Sequence, residues 1–408
     1  RTWRLSTSCS LTHISKTTIL STNYEKKGRL PLIGIIGGGQ LARMQAQAAS
    51  RLGCQVRTLE KTANCPAASV VHDHQVGDWN DPGTLIEWAK GCDLITLENE
   101  FVEADSLAKL EEAGFPVIPS SATMATVQDK WIQKQRLKEQ GLPVPVFESV
   151  SSQEDIKKLG EKLGWPLVLK KRKQGYDGKG NATIRNPESI KEAWSALGSG
   201  KYPLFVEAFC PFVKELAVMV VRSVSGDHTE YPVVETIQKD HICHVVTAPC
   251  SIDPAQQNKA SALARSAIEA VQGLGCFGVE MFLTGEGEIL INELAPRVHN
   301  SGHYTIEACP CSQFENHIRS ILGWPLGDTS LVKPAAVMIN LLGVGEGPPL
   351  PQGINKALQN ADAHLHIYGK PDSRKGRKMG HLTLMGDHME ETTQQAISLA
   401  SQLVFGNA

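Results

Sequence analysis

The sequence lacks the features of several common protein classes. Its 41 Lys and Arg nearly balance 43 Asp and Glu, so the net charge of −2 provides no electrostatic basis for binding nucleic acid or an anionic membrane. No apolar run approaches the ~18 residues that a membrane span needs. The ten cysteines include no CxxC spacing, which disfavours a zinc site or a disulfide framework and fits a reducing compartment. We therefore expect an ordinary globular protein of two or three domains, with neither nucleic acid nor membrane as a partner.

Acidic residues are also missing from the start of the chain, where the first is Glu25. Ser and Thr dominate this segment, and Arg1, Arg4 and Lys16 make it basic. A basic, Ser-rich segment without a continuous apolar stretch is typical of an organelle transit peptide and not of a secretory signal. Residues 1–28 are therefore predicted to be a transit peptide, with a disordered tail as the alternative.

A parallel α/β domain is predicted for residues 29–127. Short apolar runs at 32–36, 55–59, 94–97 and 117–118 alternate with helical segments, as in a parallel sheet. Gly37, Gly39 and Ala42 match the G-x-G-x-x-[GA] pattern, and Glu60 follows about twenty residues later. Such a turn can bind a dinucleotide or another phosphorylated small molecule through backbone amides. An NAD(P)-dependent oxidoreductase built on this domain thus stays open.

Two further regions follow. Residues 128–324 contain a helix that ends at Gly141, a glycine-rich basic loop at 171–181, an amphipathic helix at 256–273, and apolar strands at 166–170, 204–210, 214–222 and 231–235. Residues 325–408 contain strands at 333–340 and 364–368 around a Gly/Pro-rich loop. This order predicts a mixed α+β domain and a small β-rich C-terminal domain.

A pair of acidic segments is the most informative pattern. The turn signal at 284–288 predicts a hairpin that brings Glu280 beside Glu293. With the amide oxygen of Asn292, the two carboxylates form an oxygen-only site that suits Mg²⁺. Arg297, His299 and Asn300 follow directly and can hold an anion beside the metal. Mg²⁺ with anion-binding groups is typical of phosphoryl transfer.

Two further acids, Glu207 and Glu215, precede this pair in the chain, and they follow Lys170 and the glycine-rich loop. This order of residues resembles the ATP-grasp ligases. Five segments are similar to the N5-carboxyaminoimidazole ribonucleotide synthetases, and the resemblance runs from about residue 31 to the end of the chain. They are Gly38-Gly-Gln-Leu-Ala-Arg-Met44, Thr96-Leu-Glu-Asn-Glu-Phe101, Gly175-Tyr-Asp-Gly-Lys-Gly180, Asn292-Glu-Leu-Ala-Pro-Arg-Val-His-Asn-Ser-Gly302 and Gly376-Arg-Lys-Met-Gly-His381.

The resemblance implies an ATP-grasp fold with an N-terminal parallel α/β domain and a small C-terminal β-rich domain. It also implies ATP- and bicarbonate-dependent carboxylation of 5-aminoimidazole ribonucleotide through carboxyphosphate, in purine synthesis. Two Mg²⁺ would be held by Glu280, Asn292 and Glu293. ATP would be bound by Lys130 and Lys170, by the mobile loop Gly175, Tyr176, Asp177, Gly178, Lys179, Gly180 and Asn181, by Glu207, Ala208, Phe209 and Cys210 at adenine, and by Glu215 at ribose.

The other substrates would contact two further sets of residues. Gly39, Gln40, Leu41 and Glu98 would bind the phosphate and sugar of the ribonucleotide. Bicarbonate and the aminoimidazole would be surrounded by Tyr176, Asp177, Lys179, Arg297, His299, Asn300, Lys370 and Arg377. The chain departs from the family near ATP, because Gln238 stands where a His is common. Gln can donate a hydrogen bond but cannot titrate, so a proton-handling role there is in doubt.

The resemblance also bears on partners and location. It implies a homodimer, and in plants and fungi a fusion to a C-terminal carboxylase domain, which would begin just past Ala408. Because family members with transit peptides occur in plants, we expect the chloroplast or another plastid, with the mitochondrion or cytoplasm as alternatives. Another ATP-grasp purine ligase, such as a formate-dependent transformylase, is the nearest alternative function, although the segments around Arg297 and Arg377 argue against it.

Overall fold

The computed structural model describes residues 28–173, 175, 180–239 and 242–407. Its first part is a parallel α/β domain, in which four strands lie in the order β3-β2-β1-β4. The strands and helices of this domain are β1 (Leu32–Ile36), α1 (Gln40–Arg51), β2 (Gln55–Glu60), β3 (Asp73–Val76), α2 (Pro82–Ala89), β4 (Leu94–Leu97), α3 (Ala104–Glu112) and α4 (Ser121–Gln128).

Local sequence explains most of these elements. Strand β4 is buried along its whole length, which is typical of a parallel sheet covered on both faces. Helix α2 begins with Pro82 behind Asp81, whose carboxylate accepts a hydrogen bond from the Thr84 amide. The predicted strand at 117–118 is reduced to a single bridge between Val117 and Ile95. The parallel domain predicted from the alternating pattern is confirmed.

A small antiparallel sheet with the order β5-β8-β6-β7 follows. Its elements are α5 (Lys130–Glu139), β5 (Phe147–Val150), α6 (Gln153–Leu163), β6 (Leu167–Lys171), β7 (Asn181–Ile184), α7 (Ile190–Ala196) and β8 (Leu204–Ala208), with a 3-10 turn at Pro187–Ser189. Helix α5 is capped by Asp129, whose carboxylate accepts from the amides of Trp131 and Ile132. This cap fixes the start of the helix that carries Lys130 and Lys134.

The remaining described strands form one large sheet in the order β14-β13-β9-β11-β12-β15-β17-β16, with β10 paired to β9. Its elements, in chain order, are β9 (Phe212–Arg222), β10 (His228–Glu230), β11 (Val234–Lys239), β12 (Ile242–Ala248), α8 (Pro254–Ala270), β13 (Gly275–Thr284), β14 (Ile289–Ala295), α9 (Thr305–Ala308), α10 (Gln313–Leu322), β15 (Ala335–Leu342), α11 (Ile354–Ala357), β16 (Ala363–Ile367), β17 (Lys378–Gly386) and α12 (Met389–Ala400), with a 3-10 turn at Asn300–Gly302.

The C-terminal region is joined to this sheet, because β15 pairs with β12. It also has a core of its own, which includes Val337, Leu382 and Ala396. The predicted strand at 231–235 begins instead at Val234, since Pro232 has no amide hydrogen to donate to a neighbouring strand. None of the described helices has the length and apolar character required to cross a bilayer. The domain limits at 127/128 and 324/325 stay predictions.

His317 on α10 links the N-terminal domain to the large sheet. Its Nδ1 accepts a hydrogen bond from the Cys276 amide at 3.1 Å, so the proton resides on Nε2, which donates to Thr96 Oγ1 at 2.9 Å. Around it, Ile318 and Ile321 of α10 pack with Ile33 and Ala42 of the first domain. Burial lowers the pKa of His317 to about 4, so the imidazole is neutral in the folded protein.

Acid should therefore weaken the fold through His317. Because its folded pKa lies below its unfolded value of 6.5, the stabilisation is complete above pH 6.5 and is lost as the pH falls towards 4, by up to about 3 kcal/mol. We expect His317→Gln to reduce this loss, measured by denaturant unfolding at pH 7.5 and pH 5. The control is His388→Gln at an exposed position, which should leave the loss of unfolding free energy between pH 7.5 and pH 5 as it is in the wild type. A loss in His317→Gln equal to that of the wild type would contradict this account.

Candidate active site

The two predicted metal-binding carboxylates lie side by side. Glu280 of β13 is the register partner of Glu293 of β14, and a bulge follows Glu280. Glu215 of β9 is two positions from the partner of Glu280 and so lies on the same face. Burial, followed by repulsion from Glu293 and Glu215, raises the pKa of Glu280 to about 7. The hairpin predicted from the sequence is confirmed, and it concentrates negative charge at one point.

Three lysines pair with acids of the site, one with Glu293 and two with a further acid, Glu207. Lys130 Nζ lies 2.6 Å from Glu293 Oε2, and Lys170 Nζ lies 2.7 Å from Glu207 Oε2. Lys134, one helical turn after Lys130, places its Nζ 2.9 Å from Glu207 Oε1 and donates to the Asn292 carbonyl. Burial would raise the pKa of Glu207, but Lys134 and Lys170 outweigh it and hold the pKa at about 2. Helix α5 and strand β6 thus converge on one acidic site.

The donor set fits Mg²⁺. Glu280, Glu293 and the Asn292 side chain offer hard oxygen ligands, and the raised pKa of Glu280 reflects carboxylates that a cation would stabilise. The Asn292 amide oxygen lies 3.4 Å from Lys170 Nζ. No third His, Cys, Asp or Glu within the described part of the chain completes a metal cluster. The other ligand positions would therefore fall to water and substrate oxygens, as is usual for Mg²⁺.

Two of the predicted anion-binding residues, Arg297 and His299, contact acids of the site, and the third, Asn300, is held by an amide. Arg297 forms an ion pair with Glu100, with Nε to Oε2 at 2.5 Å and Nη2 to Oε1 at 3.1 Å. His299 Nε2 lies 3.6 Å from Glu280 Oε1. Burial, and then the charges of Arg297 and Lys378, lower the pKa of His299 to about 3, so its imidazole is neutral. Asn300 exchanges two amide hydrogen bonds with Asn340 at 2.9 and 2.5 Å.

The glycine turn at the start of α1 is occupied by carboxylates. The Gly38 amide donates to Glu60 at 2.9 Å, and the Gly39 and Ala42 amides donate to Glu98 at 2.8 and 3.2 Å. Burial raises the pKa of Glu98. A phosphate at these amides would have to displace two acids, which is electrostatically unfavourable. Leu41 packs in the core, and Gln40 is half-buried at the start of α1.

Lys370 lines a cleft between the N-terminal domain and the C-terminal region, and no residue of the acidic hairpin lines it. The cleft has a volume of ≈ 620 Å³, and Cys65, Ser69, Leu350 and Lys370 are among its lining residues. It adjoins the glycine turn, because the Ala67 amide donates to the Gly38 carbonyl. The structure therefore brings Lys370 near the predicted ribonucleotide site. Arg377, by contrast, is paired with Asp372, both through that residue's carboxylate and through its carbonyl oxygen.

Only the base of the glycine-rich loop is described. Tyr176, Asp177, Gly178 and Lys179 lie outside the described residues. Gly180 approaches Gly175 so closely that a Cβ would come within 2.7 Å of the Gly175 Cα, and its φ of +131° also requires glycine. Asn181 pairs with Lys170 across β6 and β7.

The predicted adenine segment, Ala208, Phe209 and Cys210, ends β8 and leads into the large sheet. The Ala208 amide donates to the Val146 carbonyl, which ties the segment to the entry of β5. Phe209 is largely exposed and Cys210 is partly buried. Gln238 is exposed at a bulge in β11, opposite Cys243. No described contact assigns a role to Gln238.

Several residues at the site were not predicted from the sequence. Lys134 could have been found from its four-residue spacing after Lys130, and Glu100 from its place in the Thr96–Phe101 segment. Gln313 accepts from the His299 amide and donates to the His299 carbonyl, fixing that residue at both groups. Asn340 and Gln313 carry no local signal, because their partners are distant in sequence.

Comparison with known proteins adds family assignments to this geometry. Residues 30–128 match the ribonucleotide synthetase preATP-grasp domain, 135–314 the ATP-grasp domain, and 336–395 the phosphoribosylaminoimidazole carboxylase C-terminal domain. The chain is 40% identical to an N5-carboxyaminoimidazole ribonucleotide synthase of Synechococcus elongatus, covering 91% of this chain and 94% of that protein. The chain belongs to the N5-carboxyaminoimidazole ribonucleotide synthetase family.

Longer relatives contain the same region. The chain is 44% identical to a phosphoribosylaminoimidazole carboxylase of Schizosaccharomyces pombe, covering 88% of this chain and 66% of that protein. It is 41% identical to a chloroplastic one of Vigna aconitifolia, covering 88% and 64%. The chain thus spans about two thirds of the length of these fungal and plant relatives.

A solved family structure has the same fold. The Aspergillus clavatus N5-carboxyaminoimidazole synthase, in complex with ADP and 5-aminoimidazole ribonucleotide, matches with a TM-score of 0.84 and 35% identity. The match covers 91% of this chain and 99% of that one. The ATP-grasp fold expected from the resemblance is therefore confirmed.

Removing one of the two repelling carboxylates should stabilise the metal-free protein. At pH 8 we expect Glu280→Gln to raise the free energy of unfolding by about 1 kcal/mol, a value reduced because 32% of the side chain is exposed. The same change should weaken the stabilisation that added Mg²⁺ provides. Thermal unfolding with and without Mg²⁺ measures both effects. The exposed turn residue Glu286 gives the matched control, Glu286→Gln. Lower stability together with unchanged Mg²⁺ binding would contradict the assignment.

Proposed function

We propose that this chain catalyses the ATP- and bicarbonate-dependent carboxylation of 5-aminoimidazole ribonucleotide to N5-carboxyaminoimidazole ribonucleotide, in purine synthesis. The observation that carries this proposal is the Glu280–Glu293 pair with the His299 ring 3.6 Å from Glu280, two residues after Arg297 in the chain. A cation site next to anion-binding donors suits transfer of a phosphoryl group to a small oxyanion. Family membership supports the same reaction.

The residues around the acidic hairpin would bind MgATP and neutralise the charge of its phosphates. Mg²⁺ held by Glu280, Asn292 and Glu293 would, when bound, neutralise charge on the ATP phosphates. Lys130 would exchange its carboxylate partner Glu293 for phosphate oxygens, and Lys170 would donate its remaining N–H groups to them while it stays paired with Glu207. The pair of Lys134 with Glu207 would hold Lys170 in place, and the segment from Ala208 to Cys210 would contact adenine, with Glu215 at the ribose hydroxyls.

In the proposed chemistry, a bicarbonate oxygen attacks the γ-phosphorus of ATP, so that ADP leaves and carboxyphosphate forms. The exocyclic amine of the ribonucleotide then attacks the carboxyl carbon, either in carboxyphosphate or in CO₂ released from it. Phosphate leaves and the nitrogen loses a proton. The Arg297 guanidinium would bind the oxyanion, and Asn300, fixed by Asn340, would position it. Carboxyphosphate is short-lived in water, so the loop that contains Tyr176, Asp177 and Lys179 would exclude solvent.

We further propose that the ribonucleotide lies across the glycine turn with its phosphate in the Lys370 cleft. The turn presents the Glu98 carboxylate, an acceptor that suits the hydroxyl donors of ribose and repels phosphate. Lys370 supplies a positive charge in the adjoining cleft, and Ser69 a hydroxyl. Arg377 would reach the substrate only after exchanging its Asp372 partner.

The oxidoreductase alternative is disfavoured by the same turn. The amides that a dinucleotide pyrophosphate would need donate instead to Glu60 and Glu98. A formate-dependent transformylase is disfavoured by membership of the synthetase family.

Partners and location are also proposals. Two Mg²⁺ ions, a homodimer and a fused carboxylase domain follow from the family resemblance. The longer fungal and plant relatives support the fusion, and the chloroplastic Vigna relative supports import into a plastid. The proposed transit peptide at residues 1–28 falls almost entirely outside the described residues.

Omitting each substrate in turn tests the proposed reaction. Phosphate release from MgATP should be slow without the aminoimidazole ribonucleotide and should also require bicarbonate, because carboxyphosphate formed without an acceptor would waste ATP. The measurement is the phosphate-release rate with each component left out. A rate unchanged when both are omitted, or stimulation by formate in place of bicarbonate, would point to a different ATP-grasp reaction.

Lys370→Ala tests the proposed phosphate subsite. Losing one charged contact should raise KM for the ribonucleotide about ten- to a hundredfold. KM for MgATP should change little, because no residue of the acidic hairpin lines the cleft that contains Lys370. Steady-state kinetics with each substrate varied gives both constants, and Lys356→Ala, at an exposed position in the same C-terminal region, is the control. An equal loss of MgATP affinity would instead assign Lys370 to the nucleotide.

A further inference from the structure

Glu100 is a partly buried acid at the site to which neither the sequence nor family membership gives a role. It comes from the N-terminal domain, while its partner Arg297 follows β14 of the large sheet, 197 residues later. The two side chains meet through two hydrogen bonds at 2.5 and 3.1 Å. Burial would raise the pKa of Glu100, but the charge and hydrogen bonds of Arg297 outweigh it, and the pKa is lowered. Glu100 is therefore ionised.

The pair fixes one edge of the Arg297 guanidinium. A guanidinium carries five N–H donors in a planar fork. Nε and Nη2 of Arg297 each donate to Glu100, and Nη1 donates to the Val298 carbonyl at 3.1 Å. One N–H of Nη1 and one of Nη2 remain, and among the described residues neither has an acceptor. These two donors form a second fork, which matches two oxygens of a carbonate or phosphate group.

Glu100 is itself held rigidly. The Gln128 side chain donates to the carbonyls of Glu100 and Val102, and the Phe101 amide donates to Asn99 Oδ1. Two residues before Glu100, Glu98 caps the glycine turn at which we place the ribose. Glu100 also lines the same small cavity as Lys130 and Glu293. A short, fixed segment thus runs from the proposed ribonucleotide site to the anion site.

We propose that Glu100 is a positioning residue that orients Arg297 for the bicarbonate-derived oxyanion and couples this orientation to occupancy of the ribonucleotide site. The inference rests on the proposed function. A ribonucleotide that contacts Glu98 holds the 98–102 segment, and through Glu100 the free fork of Arg297, in the orientation that the oxyanion requires. ATP cleavage then becomes efficient only when the acceptor is bound. Without the Glu100 carboxylate, the Arg297 side chain keeps its charge but loses its fixed plane.

The test is Glu100→Gln, which keeps the shape of the side chain and removes its charge. We expect kcat for carboxylation to fall at least about tenfold and KM for bicarbonate to rise about fivefold or more, while KM for MgATP stays within about twofold. The stimulation of phosphate release by the ribonucleotide should shrink several-fold. Glu100→Asp, which retains the charge, should recover part of both losses. Glu112→Gln, at an exposed ion pair in the same domain, should match the wild type.

The outcomes separate the two proposals. If the wild type needs neither bicarbonate nor ribonucleotide, the proposed function is overturned, and the role of Glu100 with it. If the wild type shows both requirements and Glu100→Gln behaves like it, only the Glu100 inference fails. An equal loss of MgATP affinity and of carboxylation would show a general structural role and would also overturn the inference. If Glu100→Gln does not fold, as judged by thermal unfolding, the same comparison is made with Glu100→Asp and Arg297→Lys, which should both lower the ribonucleotide stimulation.

Discussion

The placement of negative charge at the end of one hairpin is the constraint on which the rest of the site depends. Glu280 and Glu293 are forced together by the register of β13 and β14, with Glu215 on the same face. Such a cluster is unfavourable without a cation, and the pKa of Glu280 reflects that cost. Lys130 offsets it in the described structure. The Lys130 ammonium could therefore be replaced at these carboxylates by Mg²⁺, as a reversible metal–nucleotide site requires.

A buried carboxylate fixes two of the lysines at the site before any phosphate binds. Glu207 is almost fully buried and carries two ammonium partners, Lys134 and Lys170. Buried pairs of this kind add little net stability compared with apolar packing, but they fix geometry, because removing either partner leaves an uncompensated charge. Lys170 thus has one defined position at the end of β6 before any phosphate binds. This preorganisation is what electrostatic catalysis requires.

The N-terminal domain is attached to the large sheet at two different kinds of contact. Around His317, apolar packing and hydrogen bonds of a neutral imidazole connect the two parts through buried contacts. Between Glu100 and Arg297, the contact is a charged pair at the edge of a cavity, and it leaves two Arg297 N–H groups for an anion. The first contact packs the N-terminal domain against the large sheet. The second contact joins the two proposed substrate sites, because Glu100 is two residues from Glu98 and Arg297 is two residues from His299.

The sequence by itself determined the parallel N-terminal domain, the Glu280–Glu293 hairpin and the family. These follow from local patterns: buried apolar runs, a turn of fixed length and contiguous polar segments. Only the tertiary structure decided that the glycine turn is capped by Glu60 and Glu98, that Arg377 pairs with Asp372, and that Glu100 holds Arg297. The physical reason is that ion pairs and buried hydrogen bonds depend on which side chains the fold brings within about 3 Å, whatever their separation along the chain. Periodicity can assign a residue to a face, but it cannot choose its partner from another domain.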